Sequence, residues 1–205
     1  RRTMAPRLRL LFLPGGTGSR HRLSLAWGRY HQQIVGLNNE QDVSDVFTVW
    51  TASPRGTQVP TAVHYIAGWQ VRPRSWLEVS FEGYRKDLSN LSFPVFSDEV
   101  GVLAEFSQVN GRAEGMDVKA EITSRRLYVS ATYARARVAY VRPVQRSRAI
   151  FLAGTGQSIL LPRIDFRPPH DRRHQVGATV RLTAGDWSFG SRWQFGSGLP
   201  FTQVN

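Results

Sequence analysis

Apolar and polar residues alternate strictly along segments of roughly ten residues. Leu23, Leu25 and Trp27 alternate with Ser24, Ala26 and Gly28; Val118, Ala120 and Ile122 with Lys119, Glu121 and Thr123; Val176, Ala178, Val180 and Leu182 with Gly177, Thr179 and Arg181. Side chains on a strand point to opposite faces with a period of two, so each segment has one apolar and one polar face. The pattern predicts eight strands over residues 7–13, 21–32, 61–72, 75–88, 111–123, 126–140, 173–183 and 187–197. Short connections (the Gly-rich 14–19, Pro73-Arg74, Ser124-Arg125 and Ala184-Gly185-Asp186) alternate with long ones over 33–60, 89–110 and 141–172. Loops that long are unusual inside a compact domain. Strands of this length joined by alternately tight and long connections predict an all-β fold, an antiparallel up-and-down transmembrane β-barrel segment.

Alternation alone does not say which face is inside, since a soluble lipocalin-like barrel reverses the arrangement. Three features favour the membrane. Loop lengths are polarised. Bulky aromatics (Trp27, Tyr65, Trp69, Tyr133, Trp187 and Phe195) stand in the apolar phase near strand ends, where interfacial girdles sit. Charges break the apolar phase only toward the long-loop ends, at Arg29, Arg85, Arg112, Glu114, Arg135, Arg137 and Arg172. A charge facing lipid costs about 2–4 kcal/mol at mid-bilayer and about 0–1 near the interface, so strands protruding on the long-loop side accommodate all of them. A bulge between Arg135 and Tyr140 is the other way to reset the phase there. The opposite faces are polar, with Glu78, Ser80 and Glu82 on one strand and Asp117, Lys119 and Glu121 on the next, as a hydrated or plugged lumen accepts.

Composition narrows the classes. The 205 residues, 41% of them hydrophobic, suffice for one β-domain. No stretch approaches the ~18 unbroken apolar residues of a membrane helix. Cysteine is absent, which excludes disulfides and thiolate metal sites. The net charge of +12 raises nucleic acid as a partner, but the arginines are scattered without an aromatic platform, and anionic lipopolysaccharide or an anionic ligand fits better. Arg1-Arg2-Thr3-Met4 leads into a strand rather than a signal peptide, so an exported chain would be a fragment.

No constellation carries catalysis. His170 and His174 are four apart, but in extended backbone that places them more than ~10 Å apart, too far to share a metal. Glu78 and Glu82 stand ~13 Å apart on a strand, unlike a paired acid and base. Gly15-Gly16-Thr17-Gly18 and Gly154-Thr155-Gly156 lack the lysine of a phosphate loop. There is no nucleophile elbow. The expectation is a protein that is not an enzyme, with no metal and no cofactor.

Several pieces resemble the barrel of TonB-dependent outer-membrane receptors. They are Ala62-Val63-His64-Tyr65 entering a strand, Glu82-Gly83-Tyr84-Arg85-Lys86-Asp87-Leu88-Ser89-Asn90-Leu91 leaving the next, Gly111-Arg112-Ala113-Glu114-Gly115-Met116-Asp117, Asp171-Arg172-Arg173-His174 and Ser197-Gly198-Leu199-Pro200-Phe201-Thr202. Their order matches from about residue 5 to the end; Arg85 takes a position often aromatic, and Ala131-Thr132-Tyr133-Ala134 is only loosely similar. The family barrel has about 22 strands around a plug. The resemblance therefore implies that residues 1–205 form a partial outer-membrane β-barrel domain, without the plug and the remaining strands. It implies import of a scarce ligand, such as a siderophore-bound metal or cobalamin, with energy from a TonB complex acting through the absent plug. The long loops would form part of the mouth, with Trp50, Arg55, Phe93 and Phe96 as candidate ligand contacts. Two other readings stay open. A complete eight-stranded outer-membrane barrel with a structural or adhesion role requires the first and last strands to pair. A soluble ligand-binding barrel requires the aromatic faces to be buried inside.

Overall fold

The structure, a computed structural model, describes residues 3–37, 49–52, 58–96, 103–143, 145–148, 158–161, 163–168 and 171–198. Eight antiparallel strands form one up-and-down sheet: Arg7–Phe12 (β1), His21–His31 (β2), Thr61–Arg74 (β5), Leu77–Phe96 (β6), Leu103–Thr123 (β7), Leu127–Arg142 (β8), His174–Ala184 (β12) and Trp187–Gly196 (β13). Consecutive strands pair in that order. All eight expected strands are present. Among the described residues β1 pairs only with β2 and β13 only with β12, so the pairing that a complete eight-stranded barrel requires is not made.

The expected long loops hold further ladder. Ile34–Leu37 (β3) pairs with Val49–Ala52 (β4), and Gln145–Arg148 (β9) pairs with Ser158–Leu161 (β10), each as a separate two-stranded sheet. Ile164–Phe166 (β11) adds to the far end of β8. The expected loop over 89–110 is largely strand, because β6 and β7 run to 20 and 21 residues. The ladder crosses from Leu88↔Gly111 to Leu91↔Val109, with Ser89 and Asn90 facing the single Asn110. Asn90 adopts φ 58°, left-handed backbone that Asn tolerates, and its N–H donates to Asn110 Oδ1 at 3.1 Å. The Ser-Asn pair that reads as the start of a loop is therefore a bulge.

A second correction concerns Pro73-Arg74. The turn is made by Ser75-Trp76, and Arg74 pairs with Leu77. Proline has no N–H to give a ladder, and the register slips by one residue between Val71 and Arg74, which lets the strand pass through Pro73. The β7–β8 ladder is unbroken from Asn110↔Val141 to Thr123↔Tyr128, so no bulge resets the phase between Arg135 and Tyr140.

Register also fixes the slant of the sheet. Trp76, in the second turn of the sheet, accepts from the N–H of Thr123, one residue before the third turn begins. Arg126, in the third turn, accepts from Thr183 in the same way. Each turn thus lies two residues beyond the one before, or one residue per strand. A step of ~3.3 Å per ~4.8 Å of strand spacing is a tilt of about 35°, the value that closing barrels require.

Candidate functional site

The feature that sets this sheet apart is an apolar face with nothing packed on it. The registers align Phe12, Leu23, Trp69, Phe81, Val118, Tyr133, Val176 and Phe195 into one row across all eight strands. The next row toward the turns runs Val71, Val79, Ala120, Ala131, Ala178, Trp193. Most of these large side chains are open, Phe195 by 67% and Phe12 by 62%. Among the described residues the only buried hydrophobic is Val109, at 1%. A soluble barrel or sandwich collects such rows into a core; here Leu25 is exposed, and Val118 and Val180 are half-buried within the sheet surface.

On β2 the alternation is strict: Leu23, Leu25, Trp27 and Arg29 are exposed, whereas Ser24, Ala26, Gly28 and Tyr30 are half-buried or buried. The polar side is the crowded one, as in a sheet curled toward that face. Trp27, Tyr65 and Phe195 lie toward the long-loop end of the apolar rows and Trp187 beside a turn. Trp69 and Tyr133, which share one row, are corrections, for they sit mid-strand. The Trp69 ring stacks between His21 and Phe81, with centroids 5.9 and 5.5 Å away, and its indole N–H donates to His21 Nδ1 at 3.3 Å. That bond satisfies the one polar group of a side chain otherwise suited to an apolar belt.

Toward the long loops the apolar phase turns ionic. One row reads Trp27, Tyr65, Arg85, Glu114, Arg137, and the next Arg29, Val63, Asp87, Arg112, Ala139. Asp87 Oδ1 accepts from Arg85 at 3.1 and 3.2 Å and from Arg112 Nε at 3.2 Å. Desolvation pushes the Asp87 carboxyl up, but the hydrogen bonds and charges of Arg85 and Arg112 together outweigh it and hold the carboxyl below its usual range. Arg29, Arg135 and Arg137 have no ion-pair partner among the described residues. Asp87 escaped the sequence reading although it stands in phase with the arginines around it.

The polar face carries its own network near the turns. Glu121 Oε1 accepts from Lys119 at 2.9 Å and from Tyr128 at 2.7 Å, and the Arg181 guanidinium lies 5.7 Å from the Tyr128 ring centre. Glu78 accepts from Gln70 and Arg72. Glycines make room for these layers: a Cβ on Gly115 would stand 2.6 Å from both the Arg135 carbonyl and the Tyr84 hydroxyl.

Asp171, the acid of the Asp-x-x-His piece, is 3% exposed. It accepts from Val138 N–H at 2.8 Å and from Arg173 Nε at 2.9 Å. Between the end of β8's pairing with β12 and its start with β11, the Val138 amide would otherwise lack a ladder partner, so this motif caps a strand junction. His174 stacks on Tyr133 and is hydrogen-bonded to its hydroxyl at 2.9 Å, while His170 lies outside the described residues. Among the described residues no three potential ligands converge for a metal.

Three of the four candidate ligand contacts lie on described strands. Phe93 and Phe96 lie on the β6 extension, opposite Ser107 and Leu103. Trp50 sits in the separate β3–β4 sheet opposite Gly36, and Arg55 lies outside the described residues. No protein-family model matches the chain, and no curated protein matches it either.

Proposed function

We propose that this chain is a section of the wall of an outer-membrane β-barrel that imports a scarce ligand, of the TonB-dependent class its motifs resemble. One observation carries the membrane reading: an unpacked apolar belt whose charged interruptions, apart from Arg74 beside the second turn, all lie at one end. At a tilt of about 35°, an apolar band ~25 Å tall spans about nine residues. Counted from the turns, that places residues 21–29, 66–74, 77–85, 115–123, 127–135, 176–184 and 187–195 in the band. Arg29, Arg85 and Arg135 then fall at its upper edge, and Asp87, Arg112, Glu114 and Arg137 above it. The import role is supported by the order of the motifs and by the β6–β7 hairpin, which extends well past the band. Phe93 and Phe96 stand on that extension and Trp50 on β4, and these remain the proposed ligand contacts.

Two experiments test the two parts. Single-tryptophan versions of the whole barrel to which this wall belongs, refolded into vesicles with brominated acyl chains, should be quenched strongly at Trp69 and Trp193 and weakly at Trp76. Equal, weak quenching at all three, with a monomer soluble without detergent, refutes the membrane reading. In cells, deleting the gene should abolish energy-dependent uptake of a labelled ferric siderophore or cobalamin. Undiminished uptake across both ligand classes argues against import of these and favours the structural role.

A further inference from the structure

The unpartnered outer face is not uniform. Between the bulky residues of β1–β2 and those farther along, Ala67 and Gly83 leave a groove of about 510 Å³. Leu10 and Leu25 flank it, and Trp27 and Tyr65 stand toward its upper end. Arg85 closes that end, two residues along β6 from Gly83. Beside it lies a second hollow of about 420 Å³, lined in part by Asp87, Arg112, Glu114 and Arg137. An apolar trough thus runs directly into an ionic patch on the same face of the sheet.

The patch carries excess positive charge. Arg85 and Arg112 share the single carboxylate of Asp87, and Glu114 stands between Arg85 and Arg137 in the ladder. Arg135 adds a further charge two residues from Arg137. The cations are all arginine, in a chain with only Lys86 and Lys119 as lysines. The planar guanidinium fork fits phosphate in a bidentate way that an ammonium does not. Arg85 and Arg137 are two strand spacings apart, about 10 Å, so phosphates of one headgroup can reach both through these long side chains.

We propose that this face binds a lipid bearing terminal phosphate groups, its acyl chain along the Leu10–Leu25–Ala67–Gly83 groove and its phosphates on Arg85, Arg112 and Arg137. The inference rests on the membrane reading, which sets the groove within the apolar band and the arginines at its edge. It goes further in making one stretch of the perimeter a selective site rather than part of a uniform lipid contact. Asp87 Oδ1 gathers the Arg85 and Arg112 guanidiniums side by side and leaves them N–H donors to spare.

The test refolds the whole barrel to which this wall belongs into phosphatidylcholine vesicles doped with a fluorescent diphosphoryl lipid A or with its dephosphorylated counterpart, and measures lipid retained on the purified protein. Wild type should retain the phosphorylated lipid at least about tenfold better, the worth of one charge-assisted contact. The triple variant R85Q/R112Q/R137Q should lose that preference, and R22Q/R192Q, which removes two arginines from the opposite face, should keep it. If the triple variant does not fold, R137Q alone, at a residue without an ion pair in the sheet, should lower the preference by several fold. Equal retention of the two lipids, an unchanged R137Q, or displacement of the lipid by millimolar inorganic phosphate overturns the site while leaving the membrane reading intact. Failure of wild type to insert into either vesicle overturns the membrane reading itself.

Discussion

Placing the same charge at two heights on one strand separates lipid from water as the solvent of the apolar face. Ala131 and Ala139 both lie on β8, in the same phase, eight residues apart. Ala131 is the midpoint of 127–135, and its neighbours across the ladder are Ala120 and Ala178, so an arginine there stands between small side chains and removes no large one. Eight residues at ~3.3 Å and a tilt of about 35° put Ala139 about 22 Å higher, well outside a half-band of about 12 Å. Ala131→Arg should therefore cost about 2–4 kcal/mol and Ala139→Arg about 0–1. Arg112, directly opposite Ala139, adds a small like-charge penalty, which trims the expected contrast to about 2 kcal/mol. That is roughly thirtyfold in the folded-to-unfolded ratio. Urea unfolding, in vesicles, of the whole barrel to which this wall is proposed to belong, followed by tryptophan fluorescence, reads it directly. On a water-facing sheet both substitutions stay within about 0.5 kcal/mol. Equal midpoints for the two variants would refute the assignment of the apolar face to lipid.

Three further outcomes follow from the geometry. Gly115→Ala should destabilise by about 1–3 kcal/mol in the same unfolding assay, because the new methyl meets the Arg135 carbonyl, a backbone atom that cannot swing aside. Tyr128→Phe should cost about 1–2 kcal/mol by stripping Glu121 of one of its two donors on the polar face. Asp87 has a folded pKa below its unfolded one, so its contribution to stability is full above the unfolded value and fades as pH falls through the folded one. Acid titration of Asp87→Asn should accordingly show a shallower loss of stability over that acidic range than wild type, and identical curves would contradict the Arg85–Asp87–Arg112 arrangement.

The strands were legible because period-two alternation is a local signal. Leu23-Ser24-Leu25-Ala26-Trp27 needs no partner to be read. The extensions of β6 and β7 were not, because Ser89-Asn90 and Pro94 carry the chemistry of turns and loops, and only the cross-strand register reveals a bulge in place of a stop. Pro73 misled for a related reason: a residue that cannot donate to a ladder can still lie in a strand where the register slips. The ionic band was half legible. Phase exposed Arg85, Arg112 and Arg137, but Asp87 acquires its meaning only from the two guanidiniums that converge on it from adjacent strands. Asp171 was recognisable as part of a motif, whereas its work as a cap for Val138 required the junction between β12 and β11.

The extra residue at Asn90 has an effect beyond a kink. Up to Leu88, the odd positions of β6 share the side of Phe81; after the bulge Leu91 faces Val109, which belongs to the side of Asp117 and Glu121. Leu91 and Val109 thereby fall on the side of Asp117 and Glu121, where Val109 is sheltered. On the proposed membrane reading, a single inserted residue thus serves as a waterline that ends the lipid-facing phase of β6.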